Sequence, residues 1–174
     1  MVGIACEPLK IIDISEHCDV SYFRGMGKFP FVVRVYGIYI HPERGVLVSD
    51  EYIYGRKVTK FPGGGLEFGE GTLECLVREM QEETGLGFRV TGHYYTTDFF
   101  VPSAFDPSLQ VISVYYTMEP SGDALPEVSG SPFDFRELKE GAQSMRFIPI
   151  SEISGEHFTL EIDRHVGRLL AVNA

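Results

Sequence analysis

The chain has 174 residues, 44% hydrophobic and 23% charged, with a formal net charge of −10. That is enough chain for one domain with a sizeable core and too little for two ordinary ones, and the composition is that of a soluble globular protein. An acidic balance with no Lys/Arg run argues against a nucleic-acid polymer or an anionic membrane as partner, and no apolar run approaches the ~20 residues of a membrane span.

Met1 to Pro8 lacks the charged and apolar regions of a signal peptide. Cys6, Cys18 and Cys75 are an odd set without metal-ligand spacing, which fits reduced thiols and a cytoplasmic protein. Ile11, Ile12, Ile14, Val20, Tyr22 and Phe23 suggest a strand or a dimer arm, followed by a flexible junction from Gly25 to Pro30. Residues 1–30 are therefore read as an N-terminal extension that would allow a homodimer, and residues 31–174 as the domain. The β-branched and aromatic run 31–40, a turn at 41–45 and the strand 46–48 predict a hairpin. Phe61 to Gly71 is a Pro- and Gly-rich connector that opens onto a helix, with Thr72 as N-cap, a body from Leu73 to Thr84 and Gly85 as left-handed terminator. Strands follow at 88–100 and 109–118, joined by residues 101–108. A long polar connection over 119–144 leads to a strand at 145–150. The helix 160–172 closes the chain with Ile162, Val166, Leu169 and Leu170 on one side. Pattern alone leaves several α+β arrangements open.

The first helix carries the chemistry. Arg78-Glu79-Met80-Gln81-Glu82-Glu83 sets three carboxylates within five residues. At about 100° per residue they share an arc of roughly 100°, beside an apolar stripe of Leu73, Leu76, Val77 and Met80. Such carboxylates repel unless water or a cation compensates, and an all-oxygen ligand set suits a hard ion, Mg²⁺ first, with Mn²⁺ or Ca²⁺ as alternatives. Taken alone, the run reads as readily as a solvated acidic face. The glycine loop before it shifts the reading to phosphate chemistry, in which a cation bridges an anionic site and an anionic substrate.

The stretch from Gly64 to Leu86 resembles the Nudix box, G-x5-E-x7-R-E-U-x-E-E-x-G-U, filled by Gly64, Glu70, Arg78, Glu79, Met80, Glu82, Glu83, Gly85 and Leu86. Lys60-Phe61-Pro62 before the box and Phe147 to Ile153 after it are similar to the family as well. The resemblance implies an α/β/α sandwich around a mixed β-sheet. It also implies hydrolysis of a nucleoside diphosphate linked to another moiety, by water attacking a pyrophosphate phosphorus with Mg²⁺. Carried over residue by residue, it makes Glu79, Glu82 and Glu83 metal ligands, with one of them orienting the water. The Gly64 region supplies a backbone carbonyl or close packing. Arg78 holds a carboxylate in place and Glu70 supports the metal shell. A base or extra ligand is expected from the 119–144 connection, Glu140 first and Glu137 second among Glu119, Asp123, Glu127 and Asp134.

Arg56, Lys57 and Lys60 are candidates for phosphate oxygens, and Tyr52, Tyr54 and Phe61 for stacking on a base, although Tyr and Phe at alternating positions also commonly pack a sheet. Pro102, sixteen residues beyond Leu86, is similar to a proline of ADP-ribose-hydrolysing members. The resemblance thus points first to a small nucleotide substrate such as ADP-ribose or a nucleoside diphosphate sugar. A house-cleaning nucleoside triphosphate pyrophosphohydrolase is the alternative, and a non-catalytic nucleotide-sensing domain the third reading.

Overall fold

The computed structural model describes residues 31–172, so the N-terminal extension and its role as strand or dimer arm lie outside the described residues. Strand β1 (Phe31–Ile38) runs parallel to β7 (Gln110–Pro120), from Phe31 opposite Gln110 to Ile38 opposite Thr117. Its other edge pairs antiparallel with the three-glycine strand β5 (Gly63–Gly65), and β6 (Phe88–Thr96) pairs antiparallel with β7. The mixed sheet therefore has the order β5-β1-β7-β6.

A second, antiparallel sheet is centred on β3 (Gly45–Ile53), flanked by β4 (Arg56–Lys60) and β8 (Gln143–Ile148), with the short β2 (Ile40–His41) pairing at the start of β3. This corrects the predicted hairpin. The 31–40 run does not pair along its length with 46–48; the two belong to different sheets, and the run meets β3 only at its end, through the Tyr39 carbonyl, which accepts from the Leu47 N–H at 2.9 Å, and through Ile40 and His41. The partner of β3 is β4, joined by Tyr54 and Gly55, both at positive φ (49° and 72°), as a two-residue hairpin turn requires.

Helices α1 (Thr72–Thr84) and α2 (Glu161–Val172) cover opposite faces. Successive side chains of a strand point to opposite faces, so β1 and β3 serve two cores. Val35 and Leu47 join Cys75, Leu76 and Met80 of α1, while Tyr36, Val46 and Val48 join Ile162, Val166 and Leu170 of α2. The architecture is the α/β/α arrangement that the sequence implied. Among the described residues no helix is long and apolar enough to cross a membrane.

Candidate active site

Helix α1 is capped by Gly71, one residue before the predicted Thr72, and the Glu74 carboxylate accepts from the Gly71 N–H at 2.8 Å. The Thr72 hydroxyl is engaged elsewhere, 2.8 Å from the Tyr116 hydroxyl. Gly85 ends the helix at φ 70°, as expected. The buried stripe is rotated relative to prediction. Cys75, Leu76 and Met80 are buried, whereas Leu73 and Val77 are 50% and 43% exposed. Rotation toward Cys75 carries Glu79 and Glu83, one and two turns beyond it, in against the β5 backbone. Their side chains are only 15% and 10% exposed, against 60% for Glu82.

Two features of the glycine strand receive these carboxylates. Glu83 Oε2 accepts from the Gly63 N–H at 3.0 Å. The Glu79 carboxylate lies so close over Gly64 that a Cβ there would stand 2.3 Å from Glu79 Oε1. No side chain but hydrogen fits at residue 64.

Arg78 ties the cluster together. Its guanidinium grips Glu70 through two bonds of 2.7 and 3.1 Å, reaches Glu79 Oε1 at 3.0 Å and Glu82 Oε2 at 3.3 Å, and donates to the Gly65 carbonyl at 3.0 Å. This fork is what arginine, and not lysine, supplies. The bonds from Arg78 and the Glu67 N–H hold the Glu70 carboxyl down to about 2. Beneath it, burial pushes the Cys75 thiol up to about 12.

Lys60, expected to be free for phosphate, is instead buried in a cage of oxygens. Its Nζ lies 2.6 Å from the Gly63 carbonyl, 2.7 Å from Glu51 Oε1 and 3.3 Å from Glu83 Oε1. Burial works against its charge, but Glu83 and Glu51 hold the ammonium above its ordinary range. Burial raises Glu83, opposed by Lys60. Sequence reasoning missed Glu51, which also accepts from Ser49 Oγ at 3.0 Å and Gln143 Nε2 at 3.1 Å.

Two cavities open nearby, Glu83 lining one and Lys60 the other. One of about 690 Å³ is lined by Glu83 and by Glu127, Asp134, Arg136 and Glu137 of the long connection. The other, about 390 Å³, is lined by Arg34, Tyr36, Lys60, Pro102, Phe105 and Asp163. Asp163 is buried at the start of α2, accepting from the Phe61 N–H and the Tyr115 hydroxyl, and burial raises it to about 6.

The other candidates divide. Glu137, exposed and paired with Lys139 at 3.1 Å, lines the larger cavity, as does Glu83. Glu140 instead accepts from the Tyr54 N–H at 2.7 Å, at the β3–β4 turn, whereas Lys60 lies at the opposite end of β4. Glu119 pairs with Arg89 across β6 and β7. Phe61 is fully buried, stacked on Phe158 with centroids 4.4 Å apart, so its ring packs the core and does not meet a base. Arg56 is exposed on β4, and Tyr54 is exposed against Phe105 at the smaller cavity.

Among the described residues no three acidic, His or Cys side chains close around one point. Arg78 and Lys60 stand between the carboxylates. The donor set nevertheless suits a hard divalent ion: Glu79, Glu82 and Glu83 on one helix, with the first drawn onto the backbone at Gly64.

The NUDIX domain family model matches residues 30–167. Among solved structures, a MutT protein from Methanosarcina mazei Go1 superposes with a TM-score of 0.62 at 16% identity, covering 84% of this chain and 97% of that one. A NUDIX hydrolase from Nitrosomonas europaea gives 0.55 at 21%, covering 79% and 90%. The E. coli ORF135 protein gives 0.53 at 15%, covering 73% and 79%. These likenesses are of fold. No curated protein matches the sequence.

Proposed function

The chain belongs to the NUDIX domain family, and with it to the Nudix pyrophosphohydrolases, and from that premise we propose that it splits the pyrophosphate of a nucleoside diphosphate linked to a second moiety. ADP-ribose and nucleoside diphosphate sugars are the first candidates, with Mg²⁺ as the ion. The observation that carries this reading is the row of Glu79 and Glu83, drawn onto the glycine strand, with Glu83 lining one cavity and its partner Lys60 lining the other. Two chambers favour a substrate with a sizeable group at each end of its pyrophosphate over a triphosphate with one.

In this reading Glu79, Glu82 and Glu83 hold the ion, which supplies charge neutralisation at the phosphate and a more acidic bound water. Arg78 keeps Glu79 aimed and, through Glu70, fixes the loop to the helix. Glu137, facing the larger cavity with Glu83, accepts a proton from the attacking water, replacing Glu140 in that role. Arg34, whose Nε donates to the Tyr36 hydroxyl at 2.6 Å, and the apolar walls around it orient one end of the substrate in the smaller cavity.

The test is a product-resolved screen of purified protein with Mg²⁺ against ADP-ribose, nucleotide sugars, dinucleoside polyphosphates, dinucleotide cofactors and triphosphates, repeated after chelation. Cleavage within a diphosphate bridge that stops on chelation is expected. Turnover undiminished after exhaustive metal removal, or turnover of triphosphates alone, overturns the proposal.

A further inference from the structure

We propose that Lys60 and Glu51 form a paired positioning device that sets how strongly the α1 carboxylates hold a divalent cation. The inference rests on the reading above that Glu79, Glu82 and Glu83 bind such an ion. Lys60 is 3% exposed and its ammonium is surrounded by Glu51 Oε1, the Gly63 carbonyl and Glu83 Oε1. The Gly63 peptide thus binds both partners, its carbonyl taking Lys60 and its N–H reaching Glu83 Oε2 at 3.0 Å.

The lengths are unequal, and that decides the direction. At 2.7 Å the ammonium is committed to Glu51, while at 3.3 Å it compensates Glu83 only in part. Ser49 and Gln143 also donate to Glu51, and the Ser49 bond holds it independently of Glu83 if that side chain moves. Lys60 therefore orients Glu83 without consuming its charge, and Glu51 is the counter-charge that makes this so. Removing Glu51 leaves Glu83 as the carboxylate facing the ammonium, beside the neutral Gly63 carbonyl. Removing Lys60 leaves two carboxylates, each largely out of water and bridged only by the neutral amide of Gln143, with no cation to compensate them until one enters.

The two single variants must then act in opposite directions, which a merely structural role does not produce. The experiment titrates the full-length chain with Mn²⁺ alone, without nucleotide, reading free Mn²⁺ by electron paramagnetic resonance. Glu51→Gln should weaken binding about tenfold and Lys60→Met should tighten it about tenfold, with Glu51→Gln/Lys60→Met within about threefold of wild type, since charges this close couple strongly. If Lys60→Met does not fold, the double variant, which keeps the charge balance, decides against Glu51→Gln: it must bind Mn²⁺ more tightly. Equal affinities throughout, or weakening in both singles, overturn this inference while wild-type Mn²⁺ binding keeps the metal reading intact. Wild-type protein that binds no Mn²⁺ overturns both.

Discussion

Replacing Gly64 by alanine tests the site at its narrowest point. The added Cβ would meet all three carboxylate atoms of Glu79, at 2.3, 2.4 and 2.5 Å, where ordinary contact starts near 3.4 Å. The backbone at Gly64 is held in the ladder to β1, opposite Val35, and lies under α1, so the carboxylate is what retreats, by about 1 Å, a displacement that can cost on the order of 10²-fold in rate when it misplaces a catalytic group. The stability cost is much smaller. Glu79 gives up its 3.0 Å bond to Arg78 and turns toward solvent, while Arg78 keeps Glu70. That is about 1 kcal/mol, or a melting temperature lower by roughly 2–4 °C for a chain of this size. The assay is kcat at saturating Mg²⁺ with a melting curve on the same preparation. Gly65→Ala is the comparison, because a Cβ there has nothing within 4 Å and should cost far less activity. A Gly64→Ala enzyme within threefold of wild-type kcat would refute the claim that Glu79 acts from this exact place.

Glu79→Gln and Glu83→Gln should each lower kcat by orders of magnitude with the fold retained, and Glu82→Gln, at an exposed position, should be milder; steady-state kinetics in which Glu82→Gln is the worst of the three would reverse this order. In the long connection, Glu137→Gln should lower kcat with little change in KM or Mg²⁺ dependence, whereas Glu140→Gln should show mainly a lower melting temperature from a loosened β3–β4 turn. A collapse of kcat in Glu140→Gln alone would return the role to that residue. Asp163, ordinarily near 3.8, is raised to about 6 by burial, so between those values the folded state binds the proton more readily than the unfolded chain. Its contribution is fully present below 3.8 and is lost as pH rises through 6. The melting temperature of Asp163→Asn relative to wild type should therefore climb between pH 4 and 7, and a constant difference in thermal scans across that range would contradict the assignment.

What could be read from the sequence was what depends on near neighbours. The carboxylates of α1, the arginine before them and the terminator Gly85 follow from spacings within a few turns, whereas the two-sided helix cover came from the family resemblance. The pairing of β1 did not, because a β-branched run suits either sheet; its partners, Gly63–Gly65 and Gln110–Pro120, are fixed by which faces the two helices bury. The same reason hid the Glu51–Lys60 contact. It depends on the β3–β4 register, Glu51 opposite Val58 and Ser49 opposite Lys60, which only the Tyr54-Gly55 turn establishes. Phe61 and Lys60 looked like ligand contacts because they precede the glycine loop, but β4 ends there and sends both inward. Leu73 and Val77 satisfied helical periodicity and stayed exposed, since the tight approach of α1 to a strand without side chains favours the row through Cys75.

The strand pairings also impose an order of assembly. The parallel ladder joins residue 31 to residue 110, and the second sheet joins residue 46 to residue 148. Helix α1 and the glycine strand lie inside both loops so formed. Closing such long segments costs chain entropy before any contact repays it. The acidic helix and the β3–β4 hairpin that sets Glu51 against Lys60 can therefore form early as local elements, but the Gln143 amide that buttresses Glu51 arrives only once β8 has docked. During synthesis the chain must extend past residue 148 before the carboxylate row acquires all of its surroundings, so the finished geometry of this row is among the last features the folding protein gains.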